Sequence, residues 1–267
     1  MTLRLDSRQR AMLAEMGIVW SEPLSSERAS ASSGPVAREQ GQALGPASPA
    51  VAVATPRDPP SGDVPVRARS ILGSGNAAPV ETMQWDDLRQ TVAHCQACGL
   101  CKGRRNTVFG VGDQQAQWLI VGEAPGENED LQGEPFVGSA GKLLDNMLKA
   151  LQLSRRERVY IANVLKCRPP ANRNPLPEEV AQCEPFLRRQ IELLQPRIIL
   201  AMGRFAVQTL LGSSDPIGKL RGRIHRYQAV PVVVTYHPAY LLRNPADKAR
   251  SWDDLCLALD VVGRQPG

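Results

Sequence analysis

Apolar positions along this chain fall into two kinds of run. Short, nearly continuous runs occupy residues 118–121, 159–164, 197–202 and 231–235. Between them apolar residues recur at three- and four-residue spacing, which predicts helices over 81–94, 141–151, 177–194, 204–211 and 248–262. Continuous apolar strands need cover on both faces. Strands alternating with helices therefore read as an α/β fold, a parallel sheet with helices on each side. Residues 217–228 break the alternation before the last strand and predict an antiparallel excursion, which carries Lys219, Arg221, Arg223 and Arg226.

The N-terminal part has a different pattern. Residues 1–20 hold a short amphipathic helical pattern with Leu3, Leu5, Met12, Leu13, Met16, Ile18 and Trp20. Residues 21–80 are rich in Ala, Pro, Ser and Gly and almost free of aromatics. Such a stretch buries too little apolar area to offset its ordering entropy, so it reads as a flexible, disordered linker. The expected organisation is a short helix (1–20), a possible docking peptide for a protein partner, then the linker, then one globular domain over 81–267.

The chain has 267 residues, a net charge of +5 and a pI near 9.0. That mild basicity is compatible with nucleic acid as a partner without requiring it. No apolar run approaches the roughly 18 residues of a membrane span, and the N-terminus lacks the apolar core of a signal peptide. A cytoplasmic, membrane-free protein is expected, in which six cysteines are metal ligands or buried thiols sooner than disulfides.

In a parallel sheet, ligands gather at the carboxyl ends of the strands. That rule selects the turn Gly122-Glu-Ala-Pro-Gly126, then Asn163, Gly203 and His237. The turn and its continuation look like a phosphate cradle, yet Glu123, Glu127, Glu129 and Asp130 would repel phosphate. Cys95 and Cys98 form a C-x-x-C pair, extended by Cys101, and Cys167 and Cys183 stand far downstream. Four thiolates suit tetrahedral zinc or a [4Fe–4S] cluster, and spacing alone leaves both open. Cys256 falls on the apolar face of the last helix and reads as core.

Several separated motifs carry a resemblance. Gly122-Glu-Ala-Pro-Gly-Glu-Asn-Glu-Asp130, Pro135-Phe-Val-Gly138, Tyr160-Ile-Ala-Asn163, Lys166-Cys-Arg-Pro-Pro170 and His237-Pro-Ala-Tyr-Leu-Leu-Arg-Asn244 closely resemble the family 4 uracil-DNA glycosylases, over about residues 85–262. The resemblance implies a three-layer α/β/α sandwich with a central four-stranded parallel sheet. It also implies a [4Fe–4S] cluster held by Cys95, Cys98, Cys167 and Cys183, with no counterpart for Cys101. The implied activity is hydrolysis of the N-glycosidic bond of deoxyuridine, which releases uracil, leaves an abasic site and starts base excision repair. The implied partner is uracil-containing DNA, single- or double-stranded, acted on by a monomer.

Residue by residue, the resemblance assigns the uracil-binding turn to Gly122 and Ala124, base stacking to Phe136 and reading of the Watson–Crick edge to Asn163. It gives His237 donation to the departing uracil oxygen, and makes Glu123 and Glu129 candidates for positioning water and stabilising the cationic sugar. Leu241, Leu242, Arg243 and Asn244 resemble the loop that wedges into DNA. The 217–228 excursion, Arg168 and Arg173 are candidate phosphate contacts. No Schiff-base lysine is identified, so strand cleavage is not expected. Two other classes compete. A covalent uracil trap would need a histidine in the Arg168-Pro-Pro-Ala-Asn-Arg-Asn174 segment, which has none. A zinc-stabilised nucleotide-binding module would lack both iron and turnover.

Overall fold

A computed structural model describes residues 79–264. The amphipathic segment 1–20 and nearly all of the linker 21–80 lie outside the described residues.

The apolar runs form the strands expected of them, β2 (Trp118–Gly122), β3 (Val159–Asn163), β4 (Ile198–Met202) and β6 (Val230–Thr235). Two short strands were not separately foreseen, β1 (Val111–Gly112) and β5 (Ile224–Tyr227). The sheet order is β1-β3-β2-β4-β6-β5. The four inner strands are parallel, and each edge strand pairs antiparallel with its neighbour. The expected four-stranded parallel sheet is thus the centre of a six-stranded mixed one. β5 is the antiparallel excursion, entered through a single helical turn (Ile217–Leu220).

Five longer helices cover the sheet: α1 (Trp85–His94), α2 (Ser139–Ala150), α3 (Pro177–Leu194), α4 (Arg204–Leu211) and α5 (Lys248–Gly263). The pleat sends alternate strand residues to opposite faces. Leu119, Val121, Tyr160, Ala162, Ile199 and Ala201 pack with α1, α3 and α4. Trp118, Ile120, Ile161, Ile198 and Leu200 pack with α2 and α5. The result is the three-layer α/β/α sandwich. A fully buried Leu or Ile contributes about 1.5–3 kcal/mol by leaving water, so this two-faced core fixes the strand ends firmly.

Local signals place the helix ends. Pro177 starts α3, where its missing N–H costs nothing, and Glu179 reaches back to the Leu176 N–H at 2.9 Å. Two short helices went unseen in the sequence because each spans only six residues, Glu127–Gln132 and Pro238–Arg243. Both leave strand ends at the same edge of the sandwich, and both carry candidate site residues.

Candidate active site

Parallel pairing sets Gly122, the last residue of β2, opposite Asn163, the last of β3. The loop after the Glu127–Gln132 helix then folds Phe136 back over Gly122. A β-carbon on Gly122 would collide with Asn163 Oδ1, and would lie 2.6 Å from Phe136 Cζ. Only glycine lets the amide and the ring converge there. Asn163 is 2% exposed, and its Oδ1 is a buried side-chain oxygen without a hydrogen-bond partner. A buried amide oxygen left unpaired costs about 1–3 kcal/mol, so this atom is suited to a ligand's N–H.

Phe136 has the left-handed φ of 55°, which is costly for an aromatic residue. Two features that sequence reading missed hold it. Arg155 donates to the carbonyls of Pro135 (3.1 Å) and Phe136 (2.8 Å) while its Nε binds Asp145 at 2.8 Å. Gly141 of α2 lies against the Phe136 carbonyl so closely that any β-carbon would clash with it.

The four acids of the turn have four different surroundings. Glu123 lines a cleft of about 600 Å³. Desolvation pushes its carboxyl up to about 7, against the opposing pull of Arg204. Glu127 is exposed and pairs with Arg168 at 3.6 Å. Asp130 is buried and accepts from the backbone N–H groups of Arg105 (3.0 Å) and Asn106 (3.4 Å).

Glu129 departs from expectation. Its Oε2 accepts from the Gly126 N–H (3.0 Å), and its Oε1 accepts from those of Val137 (3.0 Å) and Gly138 (3.2 Å). Both oxygens are occupied in clamping the Gly122–Gly126 turn to the Phe136 loop. The carboxylate expected to position water is here hydrogen-bonded to three backbone N–H groups.

His237 caps the Pro238–Arg243 helix, with its Nδ1 accepting from the Ala239 N–H at 3.2 Å. An accepting Nδ1 is unprotonated, which leaves the proton of a neutral ring on Nε2. Desolvation first, and then the Arg243 guanidinium, push this imidazole down to about 4, against Glu129. The ring stacks on Phe136 with centroids 5.4 Å apart. It also lines the cleft, as do Ala124, Arg204 and Arg243. Phe136 and Asn163 lie behind that wall, at 4% and 2% exposure. Thus Gly122, Asn163 and Phe136 adjoin one another and Phe136 stacks on His237, the one of these four that lines the cleft.

The two leucines of the expected wedge differ in their surroundings. Leu241, expected in the wedge, is wholly buried in the core beside α2 and α5. Its helix turns that face inward. Leu242, the next residue, is 43% exposed. Asn244, the last residue of that segment, is engaged within it. Its side-chain N–H donates to the Tyr240 carbonyl at 3.1 Å, as its backbone N–H does at 2.9 Å. Its amide is engaged in ending the helix. Arg243 is exposed at the cleft. In the excursion, Arg221 is tied down by the buried Asp254 (3.0 Å) and by the Arg250 carbonyl. Arg173 forks onto Glu179 at 2.9 and 2.6 Å.

Cys95, Cys98, Cys167 and Cys183 line one pocket, together with Cys101, and none is in a disulfide. Burial pushes the Cys183 thiol up to about 12, and that of Cys167 upward as well. Arg104 donates to Cys167 Sγ at 3.2 Å, and the Lys166 backbone N–H donates to Cys183 Sγ at 3.4 Å. Lys166 is itself 1% exposed, and desolvation draws its ammonium down to about 8.

With this geometry in view, the likeness to known proteins is specific. The family model of the uracil DNA glycosylase superfamily matches residues 109–256. A type-4 uracil-DNA glycosylase of Archaeoglobus fulgidus is 47% identical over 168 residues, 60% of this chain and 84% of that protein. One from Thermotoga maritima is 46% identical over 163 residues, with the same two shares. A type-5 uracil-DNA glycosylase of Pyrobaculum aerophilum is 30% identical over 195 residues, 60% of this chain and 84% of its own length.

Proposed function

The chain belongs to the uracil DNA glycosylase superfamily, among relatives of type 4, and we propose that its cleft takes a uracil out of DNA and hydrolyses its N-glycosidic bond. The products are free uracil and an abasic site, the starting point of base excision repair. The observation that carries this reading is the orphaned Asn163 Oδ1 at the glycine floor beside Phe136 and His237.

Uracil offers an N–H at N3 and carbonyl oxygens at O2 and O4. Asn163 Oδ1 accepts from N3–H, and its amide N–H donates to O4. Cytosine presents the opposite pattern at both atoms. A site built around such hydrogen bonds rejects the mismatched partner by factors of about 10⁴. Phe136 supplies the stacking face. The imidazole lies closer to that face than the two stacked spacings a sandwiched base would need. The arriving base therefore displaces the ring to its own edge.

Bond breaking leaves a cation-like sugar and a uracil anion with charge towards O2. A neutral imidazole with its proton on Nε2 donates to that oxygen without protonating it. In other enzymes a donor to such an oxygen lowers the barrier by about 3–4 kcal/mol, and here it acts only once the base has moved the ring aside. Ionised Glu123, in the cleft wall, stabilises the cationic sugar and orients the attacking water. The residues lining the cleft include no lysine to form a Schiff base, so the reaction stops at base release without strand cleavage. Leu242 fills the vacated stack, and Arg243 and Arg204 meet phosphate. Extrusion costs a few kcal/mol, least for mismatched or unpaired uracil. One chain supplies the whole site, so a monomer suffices.

The cysteine pocket fits a [4Fe–4S] cluster held by Cys95, Cys98, Cys167 and Cys183. N–H···S bonds from Arg104 and Lys166 are the donors that thiolate ligands need. Among the described residues, no three His, Cys, Asp or Glu side chains converge on a single metal ion. Cys183 of α3, Cys95, Cys98 and Cys167 would hold such a cluster, and their shared ligation would tie α3 to the segments bearing the other three. Among the described residues no helix is long and apolar enough to cross a membrane.

The test is a single-uracil oligonucleotide incubated with the protein and then treated with alkali. Strand breaks at the uracil position, absent with cytosine or thymine in its place, are expected. An intact strand under conditions where the protein binds it would overturn the reading.

A further inference from the structure

Lys166 is the one lysine among the described residues with its side chain sealed in the core. An ammonium is withheld from water only when fixed acceptors replace it. Here they are two, the main-chain carbonyl of Asn163 at 2.8 Å and Gln190 Oε1 at 2.6 Å. Gln190 is in turn fixed from outside its own helix, its amide donating to the Phe109 carbonyl at 2.9 Å and to the Tyr160 hydroxyl at 3.4 Å. Phe109 precedes β1, and Tyr160 lies in β3 beside Asn163. The ammonium therefore joins α3, the β3 end and the segment before β1. At its other end the same residue touches the cysteine pocket, its backbone N–H on Cys183 Sγ and its neighbour being Cys167.

Asn163 needs such a support. Its Oδ1 has no protein partner, so no hydrogen bond to that atom fixes the amide plane before a base arrives. Its backbone is paired with Gly122 across the sheet. Hydrogen-bonded discrimination tolerates little misplacement, since catalytic geometry must hold to within about 0.5 Å.

We propose that Lys166 is the positioning residue of the base-reading amide, holding the Asn163 carbonyl from behind and linking it to the cysteine pocket. The inference rests on Asn163 being the uracil reader. Its substitution should weaken recognition of the base and leave recognition of the DNA backbone intact. The effect should be carried by the ammonium's hydrogen bonds, not by the volume of the side chain.

The test compares the full chain, iron-loaded, with Lys166→Met, which keeps the length and removes the donors. Two duplexes are titrated, one with a non-hydrolysable 2′-fluoro-deoxyuridine and one with an abasic site in its place. The expected result is a loss of at least about tenfold in affinity for the uracil duplex and in kcat/KM. Abasic-site affinity and iron per chain should stay at the wild-type level. Equal weakening on both duplexes, or loss of iron, would make Lys166 a general support of the fold and overturn the proposal, as would unchanged uracil affinity. If Lys166→Met does not fold, Gln190→Met removes one acceptor and the anchor to Phe109. The same selective loss in smaller degree is then expected, and its absence overturns the proposal. Wild-type protein that releases no uracil would instead remove the functional reading itself.

Discussion

Phe136 and His237 stack face to face with their planes 26° apart, although one comes from the loop after β2 and the other from the cap of a helix after β6. The contact seals the imidazole from water on one side, while the Ala239 N–H occupies its Nδ1. Both effects favour a neutral ring with an Nε2 proton, the form that donates to a leaving oxyanion.

A pH profile reads this arrangement. With His237 depressed from 6.5 to about 4, its neutral form persists far into acid. The acid limb of kcat/KM should then belong to Glu123, raised from 4.5 to about 7. Activity rises with pH through about 7 as that carboxyl ionises, and Glu123→Gln should flatten the limb and lower the plateau. For stability the two groups act oppositely. The unfolded histidine takes a proton near 6.5 and the folded one resists until about 4, so stability falls with acid across that window. Folded Glu123 holds its proton up to about 7, whereas the unfolded group releases it near 4.5. Its contribution is therefore present in acid and lost as pH rises through 7. Thermal melts of His237→Asn and Glu123→Gln across pH 4–8 separate them.

Gly122→Ala introduces a β-carbon into contact with both Asn163 Oδ1 and Phe136 Cζ. One of the two side chains must move. The expected outcome is loss of uracil excision by a factor of about 100 or more, with overpacking costing about 1–3 kcal/mol of stability. Single-turnover rates with a denaturation midpoint measure both. Wild-type rates would mean that the amide and ring do not act together.

Glu129→Ala leaves three backbone N–H groups without an acceptor. Stability should fall by about 2 kcal/mol, and excision should fall with it as the Phe136 loop loosens. Glu129→Gln keeps one oxygen and should recover part of both. A directly catalytic carboxylate would give the reverse pattern, full stability with lost activity in the Gln variant.

Adjacent leucines should behave unlike one another. Leu241→Ala empties a core site and should cost about 2–5 kcal/mol, with equal loss on single- and double-stranded substrates. Leu242→Ala should leave the melting temperature unchanged and slow excision from duplex more than from single strands. Equal loss on both substrates in Leu242→Ala would remove the wedge.

The cysteines give a metal readout. Cys167→Ser and Cys183→Ser should abolish bound iron and visible absorbance, while Cys101→Ser should keep them. Zinc in place of iron in the protein as purified would overturn the cluster assignment.

The order of the α/β units was legible in the chain because it is written in local periodicity. Continuous apolar runs such as 118–121 can only be buried strands between two covers, and the bounds expected for α3 and α4 were met at both ends. Parallel pairing then brings Gly122 and Asn163 together, and the motifs around them carried the family resemblance. The sequence could not distinguish Leu241 from Leu242, since a six-residue helix is too short for its apolar face to show as a period. Nor could it say which of four neighbouring acids faces the cleft and which clamps a loop. Glu129 is defined by N–H groups from the Phe136 loop, Phe136 by Arg155, and Lys166 by Gln190 from another layer. Charge and spacing name the donors and acceptors, but their partners exist only once distant segments approach within hydrogen-bond range. That approach was decided by tertiary packing on the two faces of the sheet.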